Sequence, residues 1–194
     1  MTIVTAAFLL FLVIDPLGNI PMFLIALKRV DPKRHTRIIL RELLIALAIF
    51  LIFLFLGRYL LLFLQVSENS LRIAGGIILF LIALKMIFGG SEEIFKSAED
   101  GEPFLVPLAV PLVAGPSVMT TLILLMAGAP SRWLDWLIAM VIAWGISSGI
   151  LLSSSLLNRV LGHKGLTALE RLMGLLLVTV AVDMFIRGIH QAFP

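Results

Sequence analysis

The chain has 194 residues, of which 60% are hydrophobic and only 14% are charged. Soluble domains carry about 25% charged residues, and several apolar runs here approach the length that crosses a bilayer, so we expect an integral membrane protein. The net charge of +3 does not indicate a nucleic-acid partner, because six of the fifteen basic residues cluster between Lys28 and Arg41 without any recognition motif. The absence of cysteine excludes disulfides and cysteine-ligated metals.

Hydropathy predicts six membrane spans joined by polar links. The spans cover residues 3–27, 43–64, 71–88, 104–127, 133–157 and 166–189. The link over 89–103 is acidic and holds five carboxylates, whereas the link over 28–42 is basic. If links 28–42, 89–103 and 158–165 are cytoplasmic, eleven Lys and Arg residues lie inside and four lie outside. Because basic residues are enriched on the cytoplasmic side, both termini are predicted to lie outside.

The first span contains a polar sequence near its centre. Residues 15–21 read Asp-Pro-Leu-Gly-Asn-Ile-Pro, with Asp15 followed by Pro16 and, after Gly18 and Asn19, by Pro21. An ionisable group is costly in hydrocarbon, and proline cannot donate the backbone hydrogen bond that continues a helix. The helix is therefore predicted to be broken near the midplane, where irregular backbone is tolerated only against protein or a water-filled cavity.

The second half of the chain repeats the first at an offset of about 100 residues. Pro16 corresponds to Pro116, and at an offset of 99 Arg72 and Gly75 correspond to Arg171 and Gly174. Each half holds three spans, so the second half must enter the membrane from the opposite side. We therefore expect an all-α integral membrane protein with six transmembrane helices arranged as two inverted three-helix repeats. The repeats cover about 1–90 and about 104–194 of one membrane domain, with helices 1 and 4 broken near the midplane.

Corresponding broken helices form the substrate site in many inverted-repeat transporters. Amide groups at the start of each new half-helix bind carboxylates, and Asp15 with the carbonyls freed before the prolines could bind an ammonium group. A zwitterion would match this set, whereas an anion or a bare cation would use part of it. The predicted substrate-binding residues are Asp15, Pro16, Gly18, Asn19 and Pro21 in span one, and Pro111, Gly115, Pro116, Ser117 and Thr120 in span four.

Several interpretations stay open at this point. Asp15 could carry a proton, coordinate a coupling ion such as sodium, or act as a fixed counter-charge. Burial disfavours its charged form, which would suit proton coupling. Prolines kink many membrane helices for packing alone. Serines in span five, Ser147 and Ser148 among them, could line a pathway, although Gly145 and Gly149 offer a packing face there. Gly75, Gly76 and Gly174 are expected to allow close helix approach. No resident cofactor or metal is expected, since the three histidines lack ligand spacing.

Residues 15–21 and 106–116 resemble the two signature stretches of the MarC family, a group of bacterial and archaeal inner-membrane proteins in the LysE-like transporter superfamily. Residues 41–47, 75–88 and 169–174 are similar to its YhgN-type branch, and the resemblance covers essentially the whole chain. The resemblance implies six helices and a place in the bacterial cytoplasmic membrane. For some members it implies transport of small neutral amino acids such as glycine or alanine.

The leading hypothesis is a secondary transporter of small neutral amino acids that works by alternating access around the two breaks. The chain has no GxxxxGK[ST] motif for ATP, and the absence of HExxH and GxSxG argues against an enzyme. The alternative is an exporter or channel for another small solute or ion. Expected partners are the lipid bilayer, a small-molecule substrate and a coupling proton or sodium ion. The glycine-rich faces allow a homo-oligomer without requiring one.

Overall fold

The computed structural model describes residues 1–27, 32–88 and 113–192, and the regular structure within these ranges is helical, without strands. Seven α-helices and one 3-10 turn follow in chain order. They are α1 (Ile3–Ile14), α2 (Pro16–Leu27), α3 (Pro32–Leu64), α4 (Glu68–Phe88), α5 (Pro116–Gly128), the turn Pro130–Arg132, α6 (Trp133–Leu152) and α7 (Ser154–Ala192). The backbone of α7 leaves helical geometry at Gly162, where φ is 62° and ψ is 176°.

Five segments are long and apolar enough to cross a membrane. They are Ile3–Ile20, Arg34–Phe63, Glu68–Phe88, Pro130–Leu152 and Lys164–Ala192, which correspond to predicted spans one, two, three, five and six. The second segment begins nine residues before predicted span two, because the helix starts at Pro32 and includes most of the predicted basic link over 28–42. Helix α5 is apolar but has only 13 residues, and it covers the second part of predicted span four. The first part of that span, together with the acidic link, lies outside the described residues. The chain is thus a multi-pass helical membrane protein, and the sixth span stays a prediction.

Glycine brings α4 and α7 into close contact. A Cβ added to Gly76 would lie 2.9 Å from the carbonyl oxygen of Ala181, and one added to Gly174 would lie 3.0 Å from that of Ala83. Near the start of α4, the Asn69 side-chain amide donates to the carbonyl of Gln191 at 3.0 Å. As α4 runs from Asn69 to Ala83, its contacts on α7 run back from Gln191 to Gly174, so α4 and α7 pack antiparallel. Small residues permit such approach between membrane helices, as the sequence predicted for Gly76 and Gly174.

The start of α1 is fixed against the start of α6 by Arg132. Its Nη1 donates to the Met1 carbonyl oxygen at 2.7 Å, its Nε donates to Asp135 Oδ2 at 2.7 Å, and its guanidinium lies 4.7 Å from the Trp136 ring centroid. Helices α1 and α6 pack along each other from this point. They therefore run parallel, and the end of α1 lies beside the middle of α6.

A second tie joins α6 to α3, because the Trp144 Nε1–H donates to the Leu43 carbonyl oxygen at 2.9 Å. The buried core between the helices is apolar and includes the fully buried rings of Phe23 and Phe50. Large apolar side chains such as Phe63, 83% exposed, lie on the outside. An apolar exterior around an apolar core is expected where the surrounding solvent is lipid.

Filling the glycine contact between α4 and α7 should destabilise the protein. G76A places a methyl group against backbone atoms that cannot rotate away, so we expect a loss of about 1–2 kcal/mol in the free energy of unfolding. G145A is the matched control, because no described atom lies within 4 Å of a Cβ there and alanine favours helix. Thermal unfolding in detergent should show a lower midpoint for G76A alone, and equal midpoints for the two variants would contradict the close packing.

Candidate functional site

The break in the first span lies at Asp15. Helix α1 ends at Ile14, Asp15 adopts left-handed backbone angles of φ 48° and ψ 60°, and α2 begins at Pro16. Proline suits the first position of a helix, because the amide it lacks would have no partner there. The predicted break in helix 1 is confirmed. Pro21 does not add a second break, since it lies within α2, and neighbouring groups in membrane proteins compensate for the hydrogen bond that a proline removes.

Side chains around the first break satisfy its backbone locally. Asp15 is 5% exposed, and its Oδ1 accepts the Gly18 N–H at 3.1 Å. The Asn19 side-chain amide donates to the Ile14 carbonyl oxygen at 2.9 Å. A Cβ on Gly18 would overlap Asp15 Oδ2 and the Met86 methyl group, so a larger residue there would displace these side chains. Asp15 therefore caps α2 in the way that acidic residues cap helices, and Asn19 closes the end of α1.

The second break is capped differently. Gly115 has extended backbone angles of φ −63° and ψ 161°, and α5 begins at Pro116 with no side-chain cap. The two helix starts, Pro16 and Pro116, are therefore 100 residues apart, which is the offset of the predicted repeat. Ser117, in the first turn of α5, is 2% exposed, and its Oγ has no hydrogen-bond partner among the described residues. Pro111 lies outside the described residues.

Helix α4 contacts both broken segments. The Met86 methyl group lies against Gly18 in the first turn of α2, and Thr120 of α5 lies against Gly75, where a Cβ would be 2.6 Å from Thr120 Cγ2. Helix α5 also contacts α1 directly. Of the predicted site residues, the structure thus brings Gly18 and Thr120 onto the same neighbouring helix, with Asp15 and Ser117 one turn before them.

Helix α6 supplies further buried hydroxyl groups. Ser147 and Ser148 are buried, and neither Oγ has a partner among the described residues. Helix α1 begins beside Arg132, and both helices rise about 1.5 Å per residue. Asp15 therefore lies at about the same depth as Ser147 and Ser148 of α6. Gly145 and Gly149 are exposed, and no atom of another described helix lies near a Cβ at either. The serines therefore face the protein interior, and the expected glycine packing face has no described neighbour.

Two buried carboxylates were missed by the sequence analysis. Glu42 is fully buried and accepts from Arg41 Nη2 at 2.7 Å, and Glu170 is 6% exposed. Glu170 lies close enough to Asp15 for their carboxylates to interact electrostatically. Helical periodicity could have found Glu170, because it falls on the face formed by Leu166, Met173 and Leu177, all of which are buried. Among the described residues, no group of three or more His, Asp or Glu side chains is placed to hold a metal ion.

Comparison with known proteins decides the family. The family model described as MarC family integral membrane protein matches residues 1–193. The chain belongs to the MarC family. It is 52% identical over 190 residues to the UPF0056 inner membrane protein YhgN of Escherichia coli (strain K12), covering 97% of this chain and 96% of that protein.

More distant MarC proteins align over nearly the same length. A UPF0056 membrane protein of Buchnera aphidicola subsp. Baizongia pistaciae is 48% identical over 194 residues, covering 98% of each chain. The UPF0056 membrane protein MJ1677 of Methanocaldococcus jannaschii is 38% identical over 193 residues, covering 94% of this chain and 93% of that one. No solved structure matches the chain significantly.

Replacing Asp15 should separate its structural role from its charge. D15A removes the acceptor for the Gly18 N–H and places alanine at a positive φ, so we expect a loss of about 1–2 kcal/mol in the free energy of unfolding. D15N keeps an acceptor and tolerates left-handed angles, so its midpoint in detergent should stay near that of the unmodified protein. If D15A unfolds at the same temperature as the unmodified protein, the Asp15 side chain does not stabilise the start of α2.

Proposed function

We propose that the protein is a secondary transporter of small neutral amino acids across the bacterial cytoplasmic membrane, and not an enzyme. The observation that carries the proposal is the pair of helix starts at Pro16 and Pro116, each inside an apolar segment of a membrane protein. Discontinuous helices at corresponding positions are where secondary transporters with inverted repeats bind their substrates.

The depths of the two breaks support a shared site. Helix α1 begins beside Arg132, and α5 ends at Gly128, so both lie at the same end of the bundle. Helix α1 has 12 residues and α5 has 13, which places both breaks about 18–20 Å from that end. A bilayer core is about 30 Å thick. In this proposal both breaks lie well inside hydrocarbon, where irregular backbone needs a protein or water-filled surrounding.

Reciprocal packing supports the inverted repeat. Helix α2, from the broken helix of the first half, packs on α7, and α5, from the broken helix of the second half, packs on α4. Helices α4 and α7 occupy the third position of their halves, and they run antiparallel. Two repeats related by an axis in the membrane plane would give this exchange of partners. In the proposed transport cycle, one set of helices rocks against the other around the two breaks.

The polar groups at the breaks suit a zwitterion with a neutral side chain. The first turn of α5 offers the buried Ser117 hydroxyl and the positive end of a helix dipole to a carboxylate. Asp15 offers a negative charge to an ammonium group across the α1–α5 contact. In this proposal Ser147 and Ser148 line the remaining wall, and Asp15, with Glu170 nearby, holds the coupling proton or sodium ion.

A channel or exporter for a cation is the second candidate. The observation that favours it is the burial of three carboxylates, Asp15, Glu42 and Glu170, within apolar segments. Ionisable residues at such positions mark ion and proton pathways in many membrane proteins. Single-channel conductance of the purified protein in a planar bilayer, without saturable exchange of amino acids, would favour this candidate over the first.

Counterflow in liposomes tests the transporter directly. The purified protein should exchange labelled glycine, alanine or serine against an internal pool, with and without proton or sodium gradients. We expect S117A to raise the half-saturating concentration about tenfold, because a hydrogen bond to a charged group is lost. S155A is the matched control on an exposed position, and D15N should abolish exchange. Wild-type exchange in both D15N and S117A would refute the site, and no exchange by the unmodified protein would refute amino-acid transport.

We also propose that both termini lie outside the cytoplasm. The eleven-to-four distribution of Lys and Arg supports this orientation. A reporter enzyme that works only in the cytoplasm should be inactive when fused after residue 194 and active when fused within the basic link 28–42. The link fusion is the control for expression. Activity of the fusion after residue 194 would reverse the topology.

A further inference from the structure

One face of α7 carries an exposed groove near the break at Gly162. Its volume is about 680 Å³, and its described lining consists of Lys164, Thr167, Ala168, Arg171, Leu172 and Leu175. These residues share one side of the helix, because they occupy positions i, i+3, i+4, i+7, i+8 and i+11. The groove begins two residues after Gly162, where the last membrane-spanning segment starts.

The part of the groove from Lys164 to Arg171 carries its two basic side chains. Lys164 and Arg171 are exposed, and Thr167 lies between them along the helix. No carboxylate is among the described residues that line the groove, since Glu170 of the same turn is buried on the other face of α7. Two cations on one face favour a phosphate group.

The other end of the groove is apolar. Leu172 is 54% exposed and Leu175 is 57% exposed. From Lys164 to Leu175 the helix rises about 16 Å, so the groove extends from the polar edge of the span into the hydrocarbon region. This length and polarity fit a headgroup followed by the first part of an acyl chain. A free phosphate ion or a polar loop would leave the two exposed leucine side chains uncovered.

The equivalent face in the first half of the chain packs against α7. At the repeat offset of 99, Arg171 corresponds to Arg72, and Leu172 and Leu175 correspond to Ile73 and Gly76. Helix α7 covers that face, because Gly188 lies against Ile73 and Ala181 lies against Gly76. Arg171, Leu172 and Leu175 are exposed, whereas their counterparts Arg72 and Ile73 are half-buried and Gly76 is buried.

We propose that this groove binds an anionic phospholipid of the surrounding bilayer. The phosphate lies between Lys164 and Arg171, and an acyl chain follows Leu172 and Leu175. Basic pockets at the membrane surface bind anionic headgroups in this way. The proposal requires a membrane protein and does not depend on which solute the protein transports.

Native mass spectrometry of the purified protein tests this site with phosphatidylglycerol and phosphatidylcholine of identical acyl chains. Each basic residue near a membrane surface contributes about fivefold to the binding of anionic lipid. We therefore expect the unmodified protein to prefer phosphatidylglycerol, and K164Q/R171Q to bind it about 25-fold more weakly. K85Q/R159Q is the matched control, because it removes the same charge from exposed residues that do not line the groove.

Three outcomes would overturn the proposal. Equal losses in the two double variants would show that the preference reflects overall surface charge. The absence of any preference in the unmodified protein would show that the groove does not select anionic lipid. A preference that emerges only when the five carboxylates of residues 91–102 are converted to amides would identify that acidic segment as the occupant of the groove. Normal thermal unfolding of K164Q/R171Q is required in each comparison, and both substituted residues are exposed.

Discussion

Backbone hydrogen bonding in hydrocarbon is the constraint on which the rest of this structure depends. A peptide group that loses its helical partner inside a bilayer must find another partner in the protein or in enclosed water. The chain interrupts its helices at two such places and treats them differently. At the first, Asp15 and Asn19 satisfy neighbouring backbone groups through their own side chains. At the second, α5 has no side-chain cap, and the buried Ser117 hydroxyl has no partner among the described residues.

This difference assigns unequal roles to the two halves of the proposed site. The first break is structurally complete and contributes a charge, whereas the second retains polar groups that can bind an added molecule. Next to the two breaks, helices α4 and α7 pack closely against each other at glycine positions. Close approach of α4 and α7 keeps the two broken segments near each other, because each segment packs on one of these helices.

The sequence predicted the features that have unambiguous chemistry. A proline next to a carboxylate in an apolar run has few explanations, so a break within residues 15–21 was predicted, and the structure places it at Asp15. The close approach at Gly76 and Gly174 followed from the absence of a side chain. The orientation of α6 could not be predicted, because Ser147 and Gly145 are two residues apart in an almost uniformly small or apolar helix. Only contacts with α1 and α3 show that the serines face inward.

The burial of Glu170 and Glu42 shows a different limit of prediction from the sequence. Each acid lies near the end of a predicted span, where a charged side chain commonly extends to the membrane surface. Hydropathy averages over a window and does not record which side of the helix a residue occupies. The apolar residues at helical spacing around Glu170 carry that information, and they indicate a buried face. A buried acid beside Asp15 changes the chemistry available at the first break, which composition alone could not reveal.

The backbone of Asp15 has a mechanical consequence. Helix α1 is anchored at its start by Arg132, and residues on both sides of Asp15 are helical. A change in the φ or ψ of this residue would therefore change the angle between α1 and α2. Asp15 is thus a hinge position between two helical segments. The same residue carries a buried carboxylate, so bending of the first span and the position of its charge are inseparable.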